Sequence, residues 1–424
     1  MYPRVPGHVF FAACSFLLFS LPLSYRISSA RTWNVFVDGS GDVPTVQAGI
    51  DGAAPEDTVL VHPGTYTELI NFGANNIVLR SGSGPAATIL DGTGFGTAVV
   101  TINQGQNRTA KLEGFTITHG SGGVFIFDAG PSVIGNVITE NGGGGVTCNA
   151  SANTTWFPLI QGNTIINNLS NRNGAGISTQ PGVIPEILDN RISGNSGMDG
   201  GGIYSLLGAS GAVIRGNRLG NNQAFNDGGG IYVQSVSAAE PVDVEISWNL
   251  VRGNFAHGAD FTGTGCGIDL VRTQAWVHHN TIVGNDGDGA HTRFVSGGGI
   301  AVYQSGSPTI EQNVIAFNSP SAYYGLRAGG GIWCDANTTP LIRNNFAWQN
   351  AGGDVVGNCS TTWQSDGNVS DNPYFCDSAA GDFTVAPNSG VMTHPAGPLG
   401  AFPSPGCGPV AVQRSTWGAL KARY

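Results

Sequence analysis

One phrase returns throughout the chain. It opens on an asparagine, continues through apolar positions, and meets a second asparagine five residues later. The leaders are Asn136, Asn163, Asn190, Asn217, Asn249, Asn280, Asn313 and Asn345; their partners are Asn141, Asn168, Asn195, Asn222, Asn254, Asn285, Asn318 and Asn350. Successive leaders stand 27, 27, 27, 32, 31, 33 and 32 residues apart. A glycine-rich turn and an apolar residue follow most pairs, as in Gly228-Gly229-Gly230-Ile231. A period of this length, made of strand and turn signals without a helical pattern, specifies a solenoid.

The units are strands. Glycine triplets and paired asparagines would break a helix interior. The apolar residues are largely Ile and Val at alternate positions, which suits a pleated surface. Each coil has room for about three short strands, and coils stacked at about 4.8 Å pair each strand in parallel with its copies. The expected fold is all-β, a parallel β-helix of one chain. The N-x-I-x-x-N and GGGI phrases resemble those of the right-handed, pectate-lyase-like β-helix superfamily, and that resemblance implies the right hand.

The asparagines read as structural. A tight turn with positive φ favours Gly or Asn. Asparagines stacked at one position bond to backbone and to each other between coils, so no catalysis is assigned to them.

Residues 1–30 read as a secretory signal, with Arg4 and His8 before the apolar run from Val9 to Leu23. That run is too short to span a bilayer. The expected location is secreted, periplasmic or at the cell surface. Removing the segment takes two arginines and no acid from a formal charge of −10, leaving −12. Such a balance argues against nucleic acid or an anionic membrane as partner. An acidic polysaccharide would need a local cation or a bound metal ion.

Residues 31–57 read as a strand and a helix over Pro44–Ala53 that closes the open end of the solenoid. Residues 58–351 form the coils, and 352–424, rich in Pro and Gly, read as an irregular C-terminal cap, with 415–423 as a final helix or a tail. Six cysteines lie beyond residue 30. Cys148 and Cys334 share a coil position about six coils apart, roughly 29 Å, and cannot bond each other; both read as inward, small hydrophobes. Cys376–Cys407 is the preferred pair and Cys334–Cys359 the second.

With Ile231 pointing inward, Tyr232 and Gln234 point outward. The same register gives an outward column of Thr147, Asn149, Ser178, Gln180, Tyr204, Leu206, Tyr232, Gln234, Asp269, Val271, Ala301, Tyr303, Trp333 and Asp335. Tyr204, Tyr232, Gln234, Tyr303 and Trp333 are the candidate substrate-binding residues, since flat rings stack on sugar faces and amides bind hydroxyls. In the lyases that the fold resembles, polysaccharide lies along this sheet; the competing reading is that the rings stack on one another.

The long interruptions Phe255–Thr264, Asp286–Ser296 and Ser319–Ala328 place any catalytic site at the later coils. They hold His257, Asp260, Asp286, Asp288, His291, Arg293 and Arg327. Asp269, His291, Arg293, Arg327 and Asp335 are the candidates there, with residue types that a lyase needs to neutralise a uronate and take its proton. Asp269 and Asp335 stand roughly 12 Å apart, too far for the glycosidase pair at about 5–9.5 Å. His278 and His279 face opposite sides if both lie on a strand, and read as turn and surface.

VDGSGDVPTVQAGIDGA…VLVHPGTYTE is similar to the opening of pectin-methylesterase-type β-helices, but the Q-A-x-A and D-x-I-x-G phrases of those esterases are missing. So are the R-x-P-x-x-R and W-x-D-H phrases of pectate lyases and the paired aspartates of polygalacturonases. No cofactor is evident, calcium is the ion a lyase would call on, and a monomer is expected. The function read here is binding or processing of extracellular polysaccharide, lyase-like on acidic glycans; the alternative is a non-catalytic surface or adhesive solenoid.

Overall fold

A computed structural model describes residues 29–257, 265–287, 297–320, 329–360, 363 and 366–408. His291, Arg293, Arg327, Asp260, Asp288, residues 1–28 of the expected signal segment 1–30, and residues 409–424 lie outside the described residues.

Three long parallel sheets of 12, 12 and 11 strands wrap one interior, with a four-stranded sheet at one corner. Each complete coil contributes one strand to every long sheet. In the coil that begins at Ala212, Ala212–Arg215 lies in the first sheet, Arg218–Gly220 in the second and Ile231–Ser235 in the third. Register is strict. Ile231 pairs with Ile203 and Ile268, Ile268 with Ile300, and Ile300 with Ile332. All five are fully buried. The first sheet supplies its own column of Ile160, Ile187, Ile214 and Ile246, also fully buried. Each such side chain contributes about 1.5–3 kcal/mol by leaving water.

The corners between sheets are set by one residue and one ladder. The residue immediately before each leading asparagine has positive φ: Gly135, Gly162, Asp189, Gly216, Trp248, His279, Gln312 and Asn344, at 52–72°. The left-handed residue is thus the one before the asparagine, not the asparagine itself as the turn preference suggested. That turn drives the asparagine side chain inward, where a buried amide needs partners for two donors and two lone pairs.

Asn217 shows how they are met. Its Oδ1 accepts from Asn190 N at 2.9 Å and from Asn190 Nδ2 at 3.0 Å. Its Nδ2 donates to Asn249 Oδ1 at 3.0 Å and to Ile187 O at 2.8 Å. The leading ladder runs from Asn136 to Asn345 and ends on Asn368. The second runs from Asn141 to Asn350 and ends on Asp354 Oδ1.

The glycine before each inward isoleucine is a matter of contact. A Cβ at Gly230 would lie 2.5 Å from Gly267 O, and one at Gly267 would lie 2.5 Å from Gly299 O. Only a bare backbone lets successive coils approach there.

The helix is Val46–Gly52, capped by Thr45, whose Oγ1 accepts from Ala48 N at 3.1 Å. It buries Val46 and Ile50 at the first coil. Parallel strands run from Thr32–Val35 to Val369–Ser370, beyond both bounds of the 58–351 repeat.

After Ser370 the described chain, to residue 408, turns back along the outer face of the second sheet. The antiparallel pair Phe375–Asp377 and Asp382–Val385 carries Phe375 and Phe383 onto Leu250, Val283 and Ala316. Val385, Val391 and Leu399 cover Val314 and Phe346. These outward apolar residues need cover, which explains the route. Cys376–Cys407 closes this strap, Cys334–Cys359 ties the last coils, and Cys148 and Cys266 are buried thiols. Cys334 is therefore both inward and bonded.

Asn217→Asp removes two donors and buries a charge. Its expected cost is at least about 3 kcal/mol, since several buried groups lose partners together. Denaturant unfolding of the variant checks this.

Candidate functional site

The outward column of the third sheet is divided into two unlike halves. In the earlier half Phe125, Thr147 and Ser178 are successive Cα partners, and Thr101 precedes Phe125. Over these strands lies an open groove of about 1620 Å³. Thr101, Phe125, Thr147, Asn149, Ser178 and Gln180 form its floor, and the segment Leu169–Asn173 forms one wall. The Phe125 ring is half-buried and lies parallel to Phe127, with centroids 6.3 Å apart.

The wall is pinned by backbone. Leu169 N donates to Asn141 O at 2.9 Å, and Ser170 N donates to Ser196 O at 2.9 Å. Arg172 is exposed and is the one charged side chain among the described lining residues.

In the later half the column closes on itself. Tyr204 and Tyr232 stack with centroids 5.2 Å apart and planes 12° apart, and are 6% and 8% exposed. Their rings leave little surface for a ligand. Tyr232 donates its hydroxyl to Gln234 Oε1 at 3.0 Å, and Tyr204 is hydrogen-bonded to Asn173. Burial pushes both phenols above their ordinary range, so both stay neutral. Asp269 follows Tyr232 in the column and has no exposed surface.

Tyr303 and Trp333 are half-buried and tilted against each other at 4.5 Å. Asp335 uses both oxygens on a turn, accepting from Gln304 N and Asn337 N at 2.8 Å each. The five binding candidates thus share one face, as the register required, with Tyr204 and Tyr232 in one stack and Tyr303 and Trp333 in another contact. Of the expected catalytic residues, Asp269 is sealed and Asp335 holds a turn; His291, Arg293 and Arg327 lie outside the described residues.

Residues 97–285 match the family described as "Right handed beta helix region". The fold is a right-handed parallel β-helix. No curated protein matches the chain significantly. Among solved structures, XylC in complex with xylose is similar at 10% identity over 81% of this chain and 87% of that one, with a TM-score of 0.49. A pectin methylesterase in complex with hexasaccharide VII is similar at 10% identity over 83% and 97%, with a TM-score of 0.26. At that identity and superposition neither likeness speaks to activity.

The β-helix reading by register began at Thr147 and so missed Phe125 and Phe127. The signal was present: Gly122-Gly123-Val124 repeats the glycine phrase one coil earlier. Among the described residues of this β-helix, no group of three or more His, Cys, Asp and Glu is placed to hold a metal ion. Nor, among them, is any helix long and apolar enough to cross a membrane.

A second polar cluster sits on the first sheet. His278 does not face away from His279, because His279 is a left-handed corner residue with φ 52°. The two Nδ1 atoms meet at 2.9 Å. His278 stacks on Trp276 at 3.9 Å and lies 3.6 Å from Glu245, with Arg215 beyond. Glu311 accepts from Trp276 Nε1 at 2.7 Å and Arg343 Nε at 2.6 Å.

Burial holds both imidazoles below their ordinary value, against the pull of Glu245 and Glu311 on His278 and of Glu311 on His279, where the neighbouring His278 adds to the lowering. The fold therefore favours neutral imidazole, and the unfolded chain takes up protons first. Stability is complete above about pH 6.5 and falls as the pH drops through the folded value. Glu311, held low, adds its own loss only below its ordinary 4.5. Denaturation at about pH 7 and about pH 5 is expected to show a larger drop in the natural protein than in His278→Gln.

Proposed function

We propose that this β-helix binds extracellular polysaccharide in the groove over its earlier coils. The observation that carries the reading is the lining itself. Hydroxyls of Thr101 and Thr147 and amides of Asn149 and Gln180 stand in rows at the strand spacing, with the ring of Phe125 among them and the small, buried Ser178 between them. Sugar hydroxyls both donate and accept, and these groups do the same. A flat ring offers an apolar platform to a pyranose face, and the long axis of the groove follows the stacked coils, as a linear polymer requires.

The lining favours recognition over cleavage. The described lining residues include no carboxyl group, whereas glycoside hydrolysis uses two. A lyase needs a cation and a base; Arg172 provides the first, and no His, Tyr or carboxylate among the described lining residues provides the second. Lyase action on an acidic glycan would therefore fall to the later coils, around His291, Arg293 and Arg327. The two disulfides support a secreted, periplasmic or surface location, since such bonds persist in oxidising compartments.

Isothermal titration against neutral and uronate oligosaccharides tests the reading. Phe125→Ala with Gln180→Ala is expected to weaken binding at least about tenfold, the loss of roughly 1.4 kcal/mol or more, while the unfolding midpoint stays near that of the natural protein. Unchanged affinity would remove the groove as the site. Release of unsaturated uronate products, followed by their ultraviolet absorbance, would restore the lyase reading.

A further inference from the structure

The outer face of the second sheet carries an unbalanced row of charge. Arg191 and Arg218 are Cα partners on neighbouring strands, about 4.8 Å apart. Both side chains are exposed. Arg252 ends the strand of the next coil, also exposed, and its stem crosses the bare backbone of Gly220. Its Nη1 donates to Gly381 O at 3.5 Å. Three consecutive coils therefore present three guanidinium groups.

None of the three has an ion pair among the described residues, although Arg108, Lys111, Arg215 and Arg343 each have one. The corner carboxylate of Asp189 lies over Gly216 instead. Like charges opposed across a ladder destabilise each other. A chain with 28 acids and 18 bases has carboxylates enough to neutralise them. The same column turns apolar at Leu250, where the C-terminal strap covers it, while its arginine half is left open. Beyond the contact of Arg252 with Gly381, the row makes no side-chain hydrogen bond or ion pair among the described residues.

We propose that Arg191, Arg218 and Arg252 form a second binding surface, for an anionic polysaccharide running along the solenoid axis. The guanidinium fork takes carboxylate or sulfate oxygens two at a time. One coil advances by about the length of one pyranose, so a regularly charged glycan meets one arginine per coil. The surface is separate from the groove and does not rest on it.

Affinity electrophoresis of the full chain through gels holding polygalacturonate, dextran sulfate or neutral dextran tests this. Retardation by either anionic polymer, lost on raising the salt, with neutral dextran inert, is expected; which polymer retards tells carboxylate from sulfate. Arg191→Gln with Arg218→Gln is expected to weaken that binding at least tenfold while leaving the unfolding midpoint unchanged or higher. The Phe125→Ala, Gln180→Ala protein is expected to keep it. Natural affinity in the arginine variant, loss in the groove variant instead, or no retardation by either anionic polymer overturns the proposal.

Discussion

The coil stands on hydrogen bonds that each layer makes to the next through buried asparagine amides. A parallel solenoid must turn its chain at every corner, and a corner leaves backbone groups without strand partners. Burying those groups unpaired would cost about 1–3 kcal/mol each. The amide of asparagine is the one short side chain with two donors and two lone pairs, so a column of them is satisfied without water. The left-handed residue before each one aims it inward. Asp189, Trp248 and Gln312 accept that conformation although they are not glycine, which shows how strongly the ladder fixes the corner.

Most of this architecture was legible because stacking turns text into columns. The Ile231 register, the outward side of Tyr232 and both disulfides follow from spacing or position. The position of the left-handed residue was not legible, since Gly, Asp, Trp, His, Gln and Asn share it without a common chemistry. The paired histidines were misjudged for the same reason: alternation fails at a corner. The route of the strap was not legible, because Pro and Gly mark irregular chain without saying where it goes. What directs it is the outward apolar set Leu250, Val283 and Val314, which a repeat pattern alone treats as ordinary strand residues.

The face expected to bind is one continuous surface by register, but not by exposure. In the later coils large rings fill the column and satisfy one another, as Tyr204 does with Tyr232. In the earlier coils the same positions hold Thr147 and Ser178, and the smaller side chains leave room. Loop length pointed toward the later coils, whereas side-chain volume opens the earlier ones. The wall is the five-residue segment Leu169–Asn173, held by backbone bonds to the coils on either side.

The returning strap changes how such a rod comes apart. A simple stack holds each layer only by its neighbours, so its last layer frays first and the rest peel away in turn. Here the segment after Ser370 grips residues from Leu250 to Phe346 and is closed on itself by Cys376–Cys407. Peeling from that end must first lift a clasp spread over several layers. Because the clasp follows its seat in the chain, the seat is synthesised first and the clasp closes over layers already made.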